Sequence, residues 1–263
     1  MQKGSLMIDK IISIAREAGR IVVDIQRSGD LDVCAKEDGS PVTRADNASD
    51  KYIRDALHDQ FRIPVITEET TIDYSIRKNW NEFFLIDPLD GTKDYIEHSD
   101  DFTINIALIR NRQPVLGVVC VPVLKEIFFA EKGGGAFVYK DSQCKQLPMT
   151  TCSGMVLARS RFHDLENMDK FAHDNNITQS LRMSSAVRFC RLAEGQANLY
   201  LGVNCSMEWD TAAGHIILKE SGGGVTDLQT LDEPVYNKQD IINAPFIAYS
   251  KEIDFGQLVF SDA

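Results

Sequence analysis

Phe83-Phe84-Leu85-Ile86-Asp87-Pro88-Leu89-Asp90-Gly91-Thr92 is the stretch on which the reading of this chain turns. Its first four residues are apolar and read as a buried strand. Pro88 fixes its own φ and cannot donate to a sheet ladder, so the strand is expected to stop at Asp87 and the chain to turn. Gly91 permits a backbone conformation or a close approach that a side chain would block. The turn sets two carboxylates, Asp87 and Asp90, at the carboxyl end of a strand, with the Thr92 hydroxyl and the Lys93 cation directly after them. Clustered carboxylates repel unless positive charge lies between them. Hard divalent cations such as Mg²⁺ take oxygen ligands and bridge to phosphate. The stretch therefore reads either as a carboxylate-held Mg²⁺ site or as a plain turn, since Asp-Pro and Asp-Gly are ordinary turn pairs. These ten residues leave both open.

The 263 residues are enough for one large domain or two subdomains, and a composition of 43% hydrophobic and 25% charged residues is that of an ordinary globular protein. No apolar run approaches the ~20 residues of a membrane helix, and the N-terminus carries no signal-peptide pattern. Six cysteines (34, 120, 144, 152, 190, 205) form no C-x-x-C or Cys/His cluster, which argues against zinc and for small buried thiols in a reducing cytoplasm. The net charge of −11 argues against nucleic-acid polymers and anionic lipid surfaces as partners. A small anionic substrate stays possible where carboxylate-bound cations neutralise it locally.

Outward from the central stretch, residues 9–27 carry Ile11, Ile14, Ala18, Ile21, Val22 and Ile25 at helical spacing, with Gly29 as a cap. A second helix is expected from about Asp46, with Ile53, Leu57 and Phe61 inward; Asp46 reads as its N-cap or as a carboxylate facing the metal cluster. Ile63–Thr67 is a short strand ending in Glu68-Glu69, a solvated edge or a second acidic strand end. Residues 70–81 read as a surface loop. Phe102–Arg110 alternates as a half-buried strand, and Val115–Val123, Glu126–Ala130 and Ala136–Tyr139 continue an antiparallel meander. Gly133-Gly134-Gly135 lacks the Gly-Lys-Ser/Thr of a phosphate loop and reads as a hairpin bend. After a polar stretch at 141–152, strands and helices alternate: Met155–Ser160, Asp164–Asn175, Ser184–Glu194, Ala197–Leu201, Glu208–Ser221, Val225–Leu228, Phe246–Tyr249, and a last strand and helix from the 246–259 region. Such alternation argues for a mixed sheet with helices packed on it. The division falls at about residue 150, giving an α+β unit over 1–150 and an α/β unit over 151–263. Asp210, in the first turn of its helix, is either an acid favoured by the helix dipole or a side chain pointing into a cleft between the halves.

Three pieces are far more specific together than apart: Thr67-Glu68-Glu69, Asp87-Pro88-Leu89-Asp90-Gly91-Thr92, and Glu208-Trp209-Asp210-Thr211-Ala212-Ala213-Gly214. In this order and spacing the chain resembles the inositol monophosphatase superfamily of Mg²⁺-dependent, lithium-sensitive phosphatases. Within it, Gly91-Thr92-Lys93-Asp94-Tyr95 and the run from Ser184-Ser185 to Phe189-Cys190 resemble the bacterial 3′(2′),5′-bisphosphate nucleotidases of the CysQ type. That run resembles their Gly-Ser-Ser-x-Lys-Phe-Cys, with Met183 taken at the Gly position and Arg188 at the Lys position.

The resemblance implies an αβαβα layered sandwich of α+β and α/β parts, with an antiparallel sheet in the N-terminal part and a mixed sheet in the C-terminal part. It implies a Mg²⁺ site of two or three ions held by Glu68, Asp87, the Leu89 carbonyl, Asp90 and Asp210, with Glu69 behind them. Asp46, Glu68 and Thr92 would serve the attacking water. Glu68, Leu89, Asp90, Gly91, Thr92, Lys93, Ser185, Arg188 and Asp210 would contact substrate. The implied reaction is removal of the 3′-phosphate of adenosine 3′,5′-bisphosphate in a cytoplasmic hydrolase linked to sulfur metabolism, with inhibition by Li⁺ and Ca²⁺. The alternative is an inositol or sugar phosphate phosphatase with the same metals. The expected partner is a small nucleotide, without a transmembrane segment; the chain would be a monomer or homodimer, with peripheral inner-membrane association left open.

Overall fold

The computed structural model describes residues 6–36, 39–70, 72–162, 166–184, 186–203 and 206–260. In chain order the elements are α1 (Leu6–Ser28), β1 (Cys34–Ala35), β2 (Pro41–Val42), α2 (Arg44–Phe61), β3 (Val65–Thr67), α3 (Tyr74–Arg77), β4 (Glu82–Asp90), α4 (Thr92–Ile96), β5 (Thr103–Arg110), β6 (Gln113–Val121), β7 (Glu126–Glu131), β8 (Gly135–Lys140) and β9 (Gln143–Gln146). Then follow β10 (Val156–Arg159), α5 (Glu166–Asp174), β11 (Gln179–Arg182), α6 (Val187–Glu194), β12 (Leu199–Gly202), α7 (Glu208–Glu220), β13 (Gly224–Asp227) and β14 (Phe246–Tyr249).

Alternation along β4 decides the layering. Phe84 and Ile86 point to one face and join Ile8, Ile11 and Ile12 of α1 and Ile53 and Leu57 of α2 in one core cluster. Phe83 and Leu85 point to the other face and join α6, α7 and the inner side of the second sheet, where Val156, Ala158, Phe246 and Ala248 lie. A third cluster closes the far side of that sheet against Met168 and Phe171 of α5. The result is helix, sheet, helix, sheet, helix, because each strand is apolar on both faces and needs a cover on each. The expected αβαβα sandwich is the observed fold.

The first sheet has the order β3-β4-β5-β6-β7-β8-β9, and the second β11-β10-β12-β14-β13. The second is mixed as expected: β10 pairs parallel with β11 and β12, while β14 runs antiparallel to β12 and β13. The first departs from a purely antiparallel sheet at one edge, where β3 runs parallel to β4.

Other expectations are corrected in detail. β4 does not stop at Asp87: it runs on to Asp90, pairing Asp87 with Asn105 and Asp90 with Thr103 across a register shift. Pro88 is tolerated because it sits in that irregularity, where a ladder donor is not needed. The Ser49 hydroxyl of α2 donates to its carbonyl at 2.7 Å. β5 is buried on both faces rather than half-buried. The 70–81 segment contains α3 and the buried Arg77. Near the C-terminus only a short 3₁₀ turn, Phe255–Gln257, follows β14. Cys120 and Cys190 are buried as expected, but Cys34 and Cys144 are exposed free thiols; Cys205 lies outside the described residues. No helix among the described residues is long and apolar enough to cross a membrane.

Candidate active site

The C-terminal end of β4 and the start of α7 meet at one cleft. Glu68, Asp90, Gly91, Thr92, Lys93, Arg188 and Asp210 all line it, and it encloses about 370 Å³, the size of a small-ligand site. Asp87 lies beneath, 1% exposed. Gly91 carries φ 91° and passes the chain from strand to helix α4, a conformation a side chain would strain. Asp90 is held at Oδ2 by Asn105 Nδ2 at 3.1 Å and by the Ala186 amide at 2.9 Å. Asp210 accepts the Met207 amide at 2.7 Å in a capping arrangement.

Helix α2 braces the same corner. Asp46 is its third residue, not its N-cap: Thr43 caps the helix, and Asp46 Oδ2 accepts the Thr43 amide at 2.7 Å and its hydroxyl at 2.6 Å. Asp46 Oδ1 accepts the Thr92 hydroxyl at 3.2 Å. Asp50 accepts the Thr67 hydroxyl at 2.7 Å, so Asp46, Ser49 and Asp50 hold α4, the β4 bulge and β3 respectively. They continue the Ile53–Leu57 stripe at helical spacing. Polar residues at stripe positions were the available signal for Ser49 and Asp50, and a purely apolar count passes over them.

Lys36 carried no signal in the sequence. Its Nζ lies 2.7 Å from both Glu68 Oε1 and Glu69 Oε1. Burial opposes its charge, but the two carboxylates outweigh that and hold the ammonium above the usual lysine range. Asp94 and Ser184 also line the cleft. Burial raises the Asp94 carboxyl, with the Ser184 and Ser99 hydroxyls opposing; its Oδ1 and the Ser184 hydroxyl still lack a partner in hydrogen-bond geometry. One more residue separates Met183 from Arg188 than separates Gly from Lys in the nucleotidase run. Anchored on Arg188, the run puts Ser184 at the glycine position. The Arg188 guanidinium stacks 4.2 Å from the Tyr200 ring centre. Ser185 lies outside the described residues.

The electrostatics are those of crowded acids. Burial raises Asp87 well above the ordinary 3.8, and Glu68, Asp90 and Asp210 raise it further. Asp210 is raised in the same way, by burial and then by Asp90. Burial also raises Glu68 above 4.5, opposed by Lys36. Among the described residues no three His, Cys, Asp or Glu side chains are gathered closely enough to hold a metal ion as they stand. The acids are electrostatic neighbours rather than a closed ligand set. Their chemistry nonetheless fits a hard divalent cation: oxygen donors only, and buried charge that mutual repulsion leaves in want of a counter-ion.

A pH dependence follows with its sign. Acids whose folded pKa lies above the unfolded value bind more protons folded than unfolded, so they destabilise the fold as pH rises. Chelator-treated protein should therefore lose stability as pH climbs from the ordinary carboxylate values, 3.8 for Asp, through the raised values of Asp87 and Asp210. Urea midpoints across that range in Asp210→Asn should fall less steeply than in the unaltered chain; equal slopes would show that Asp210 carries no such shift.

The comparisons with known proteins agree with this geometry. The 3′(2′),5′-bisphosphate nucleotidase CysQ of Salmonella typhimurium is 36% identical over 230 residues, 86% of this chain and 93% of that protein. The protein of the same name from Escherichia coli K12 is 34% identical over 242 residues, 91% of this chain and 98% of its own. The structure of CysQ from Bacteroides thetaiotaomicron, described as a bacterial member of the inositol monophosphatase family, superposes with a TM-score of 0.82 at 31% identity, covering 94% of this chain and 98% of that one. The Thermotoga maritima IMPase shares the fold, with a TM-score of 0.77 at 24% identity over 93% of this chain and 92% of its own. Residues 6–254, from α1 to beyond β14, match the family pattern itself, and with the acids of β4 and α7 set around one cleft this chain belongs to the inositol monophosphatase family.

Proposed function

We propose that this enzyme is a Mg²⁺-dependent phosphoric monoester hydrolase that removes the 3′-phosphate of adenosine 3′,5′-bisphosphate, giving AMP and phosphate. The observation that carries this reading is the kinship, at 34% and 36% identity over nearly the whole chain, with proteins named 3′(2′),5′-bisphosphate nucleotidase. The acidic cleft supports it. The same kinship supports a role in sulfur metabolism, where such a product would need clearing.

Glu68, Asp87, the Leu89 carbonyl, Asp90 and Asp210 are the residues that would hold the cations, the 1–150 part supplying all but Asp210. When bound, Mg²⁺ would supply charge neutralisation at the phosphate and the leaving 3′-oxygen and would lower the pKa of water. The chain's own part is placement. Thr92 and Asp46, joined by their hydrogen bond, would orient the attacking water in line with the 3′-oxygen. Burial raises the Asp46 carboxyl, which suits a group that accepts a proton from that water. The start of α4, with Gly91 and Thr92, would cradle phosphate oxygens on backbone N–H groups. Lys93 and Arg188 line the same cleft, and would neutralise the remaining phosphate; Arg188 offers a planar fork for two oxygens. Glu69, shared with Glu68 through Lys36, would fix the Glu68 carboxylate.

Phosphate release from a panel of nucleotides and sugar phosphates, with Mg²⁺ and with Ca²⁺ in its place, tests this reading. Adenosine 3′,5′-bisphosphate should be preferred over inositol 1-phosphate in kcat/KM. A tenfold preference for the inositol ester, ~1.4 kcal/mol in transition-state binding, would overturn the substrate assignment. Ca²⁺ alone should support little turnover, because its longer and looser coordination misplaces the water. Full activity in Ca²⁺ would overturn the metal assignment.

A further inference from the structure

The segment after Glu68-Glu69 looked like a plain surface loop in the sequence. It carries α3, and at its end Arg77 is 5% exposed and engaged at every nitrogen of its guanidinium. Nε donates to the Ile72 carbonyl at 3.2 Å. NH1 donates to Asn237 Oδ1 at 2.8 Å and to the Lys238 carbonyl at 2.7 Å. NH2 donates to the Gln239 carbonyl at 3.2 Å. Asn237 answers by donating its side-chain N–H to the Arg77 carbonyl at 2.8 Å.

The segment held in this way grips the start of α7. Glu208, fully buried, accepts the Asn237 amide at 2.7 Å and the Lys238 amide at 2.9 Å. The Lys238 ammonium lies 2.8 Å from the same carboxylate. Glu208 is two residues from Asp210 in sequence, in the same first turn. A continuous chain of buried, charge-assisted hydrogen bonds therefore joins the β3–β4 connection, which begins at Glu68-Glu69, to the helix start that presents Asp210. Charged, forked contacts of this kind are the stiffest polar ones a protein makes.

We propose that Arg77 is a positioning residue for the cation site: through Asn237 and Glu208 it fixes Asp210 relative to the acids at the ends of β3 and β4. A surface loop has no need of a buried guanidinium with this many partners. Asn237 adopts φ 63°, a strained choice for a non-glycine residue, and in that conformation both its amide and its side chain serve the strut. The inference rests on the metal reading above. It adds that the two halves of the donor set are held in register by this strut and not by core packing alone.

The test is calorimetric titration of the whole protein with Mg²⁺ alone, beside urea midpoints and steady-state kinetics. Arg77→Lys keeps the charge and loses the fork. It should raise the Mg²⁺ Kd about tenfold, the scale seen when groups that orient metal ligands are altered. The Mg²⁺ concentration for half-maximal activity should rise in step, with kcat at saturating Mg²⁺ largely recovered. Should Arg77→Lys not fold, Asn237→Gly retains the left-handed backbone, removes the side-chain link and should shift Kd in the same direction. A lowered urea midpoint with an unmoved Kd in either variant would overturn the strut. If the unaltered chain takes up no Mg²⁺, it is the metal reading that falls, and the strut with it.

Discussion

Asp87→Asn should abolish Mg²⁺-dependent phosphate release, by about 10³-fold or more, while leaving the fold intact. Asn has nearly the same size and can still accept the Leu89 amide, which Asp87 Oδ1 now accepts at 3.0 Å. What it removes is one negative charge from a buried site where burial, Glu68, Asp90 and Asp210 already oppose that charge. The metal-free variant should therefore be at least as stable as the unaltered chain. Activity and stability thus move in opposite directions, as expected where function holds like charges together. Phosphate release and urea midpoints on the same preparation check both halves. An unaffected rate would show that the cluster is not catalytic, and a collapsed midpoint would show that Asp87 serves the fold.

The second large effect lies in the packing that carries Asp210 to the cleft. Gly117 on β6 lies under α7, where an added Cβ would stand 2.4 Å from Ile216 Cγ2 and 2.6 Å from the Ala213 carbonyl oxygen. A backbone oxygen cannot swing aside as a side-chain tip can, so Gly117→Ala must push the helix off the sheet. Overpacking of this kind costs about 1–3 kcal/mol. The helix so displaced begins two residues before Asp210, so the variant should bind Mg²⁺ more weakly as well as melt earlier. Thermal unfolding and Mg²⁺ titration together distinguish this from a simple loss of stability. A Tm equal to that of the unaltered chain would show that α7 does not press on β6 as closely as the distances state.

Individual residues show where sequence reasoning held and where it broke. The apolar run at 83–86 gave a buried strand, and its two-faced apolarity required covers on both sides. Pro88 misled, because a strand can carry a proline through a bulge when a neighbour, here Ser49, satisfies the exposed carbonyl. Asp46 was caught between two readings, and the structure gave it both tasks: one oxygen closes the capping box with Thr43, the other holds Thr92. The helix stripe of α7 was read as one-sided, yet Glu208, Thr211 and His215 are as buried as its apolar residues. A helix between two sheets has no solvent face, and sequence periodicity does not reveal how many neighbours a helix has.

From the sequence alone came the order of the elements, the layered fold, the acids at 68, 87, 90 and 210, and the family. These rest on local patterns: strand alternation, helix spacing, and short motifs whose order along the chain is itself the signal. The partners of those acids came only from the tertiary structure. Lys36 between Glu68 and Glu69, the Ala186 amide on Asp90, and the Arg77–Asn237–Glu208 chain all join residues far apart in sequence. A lone lysine or arginine in a polar segment looks like any solvated charge until folding removes the water around it. Burial then decides whether that charge finds a partner, because an unpaired one is too costly to keep.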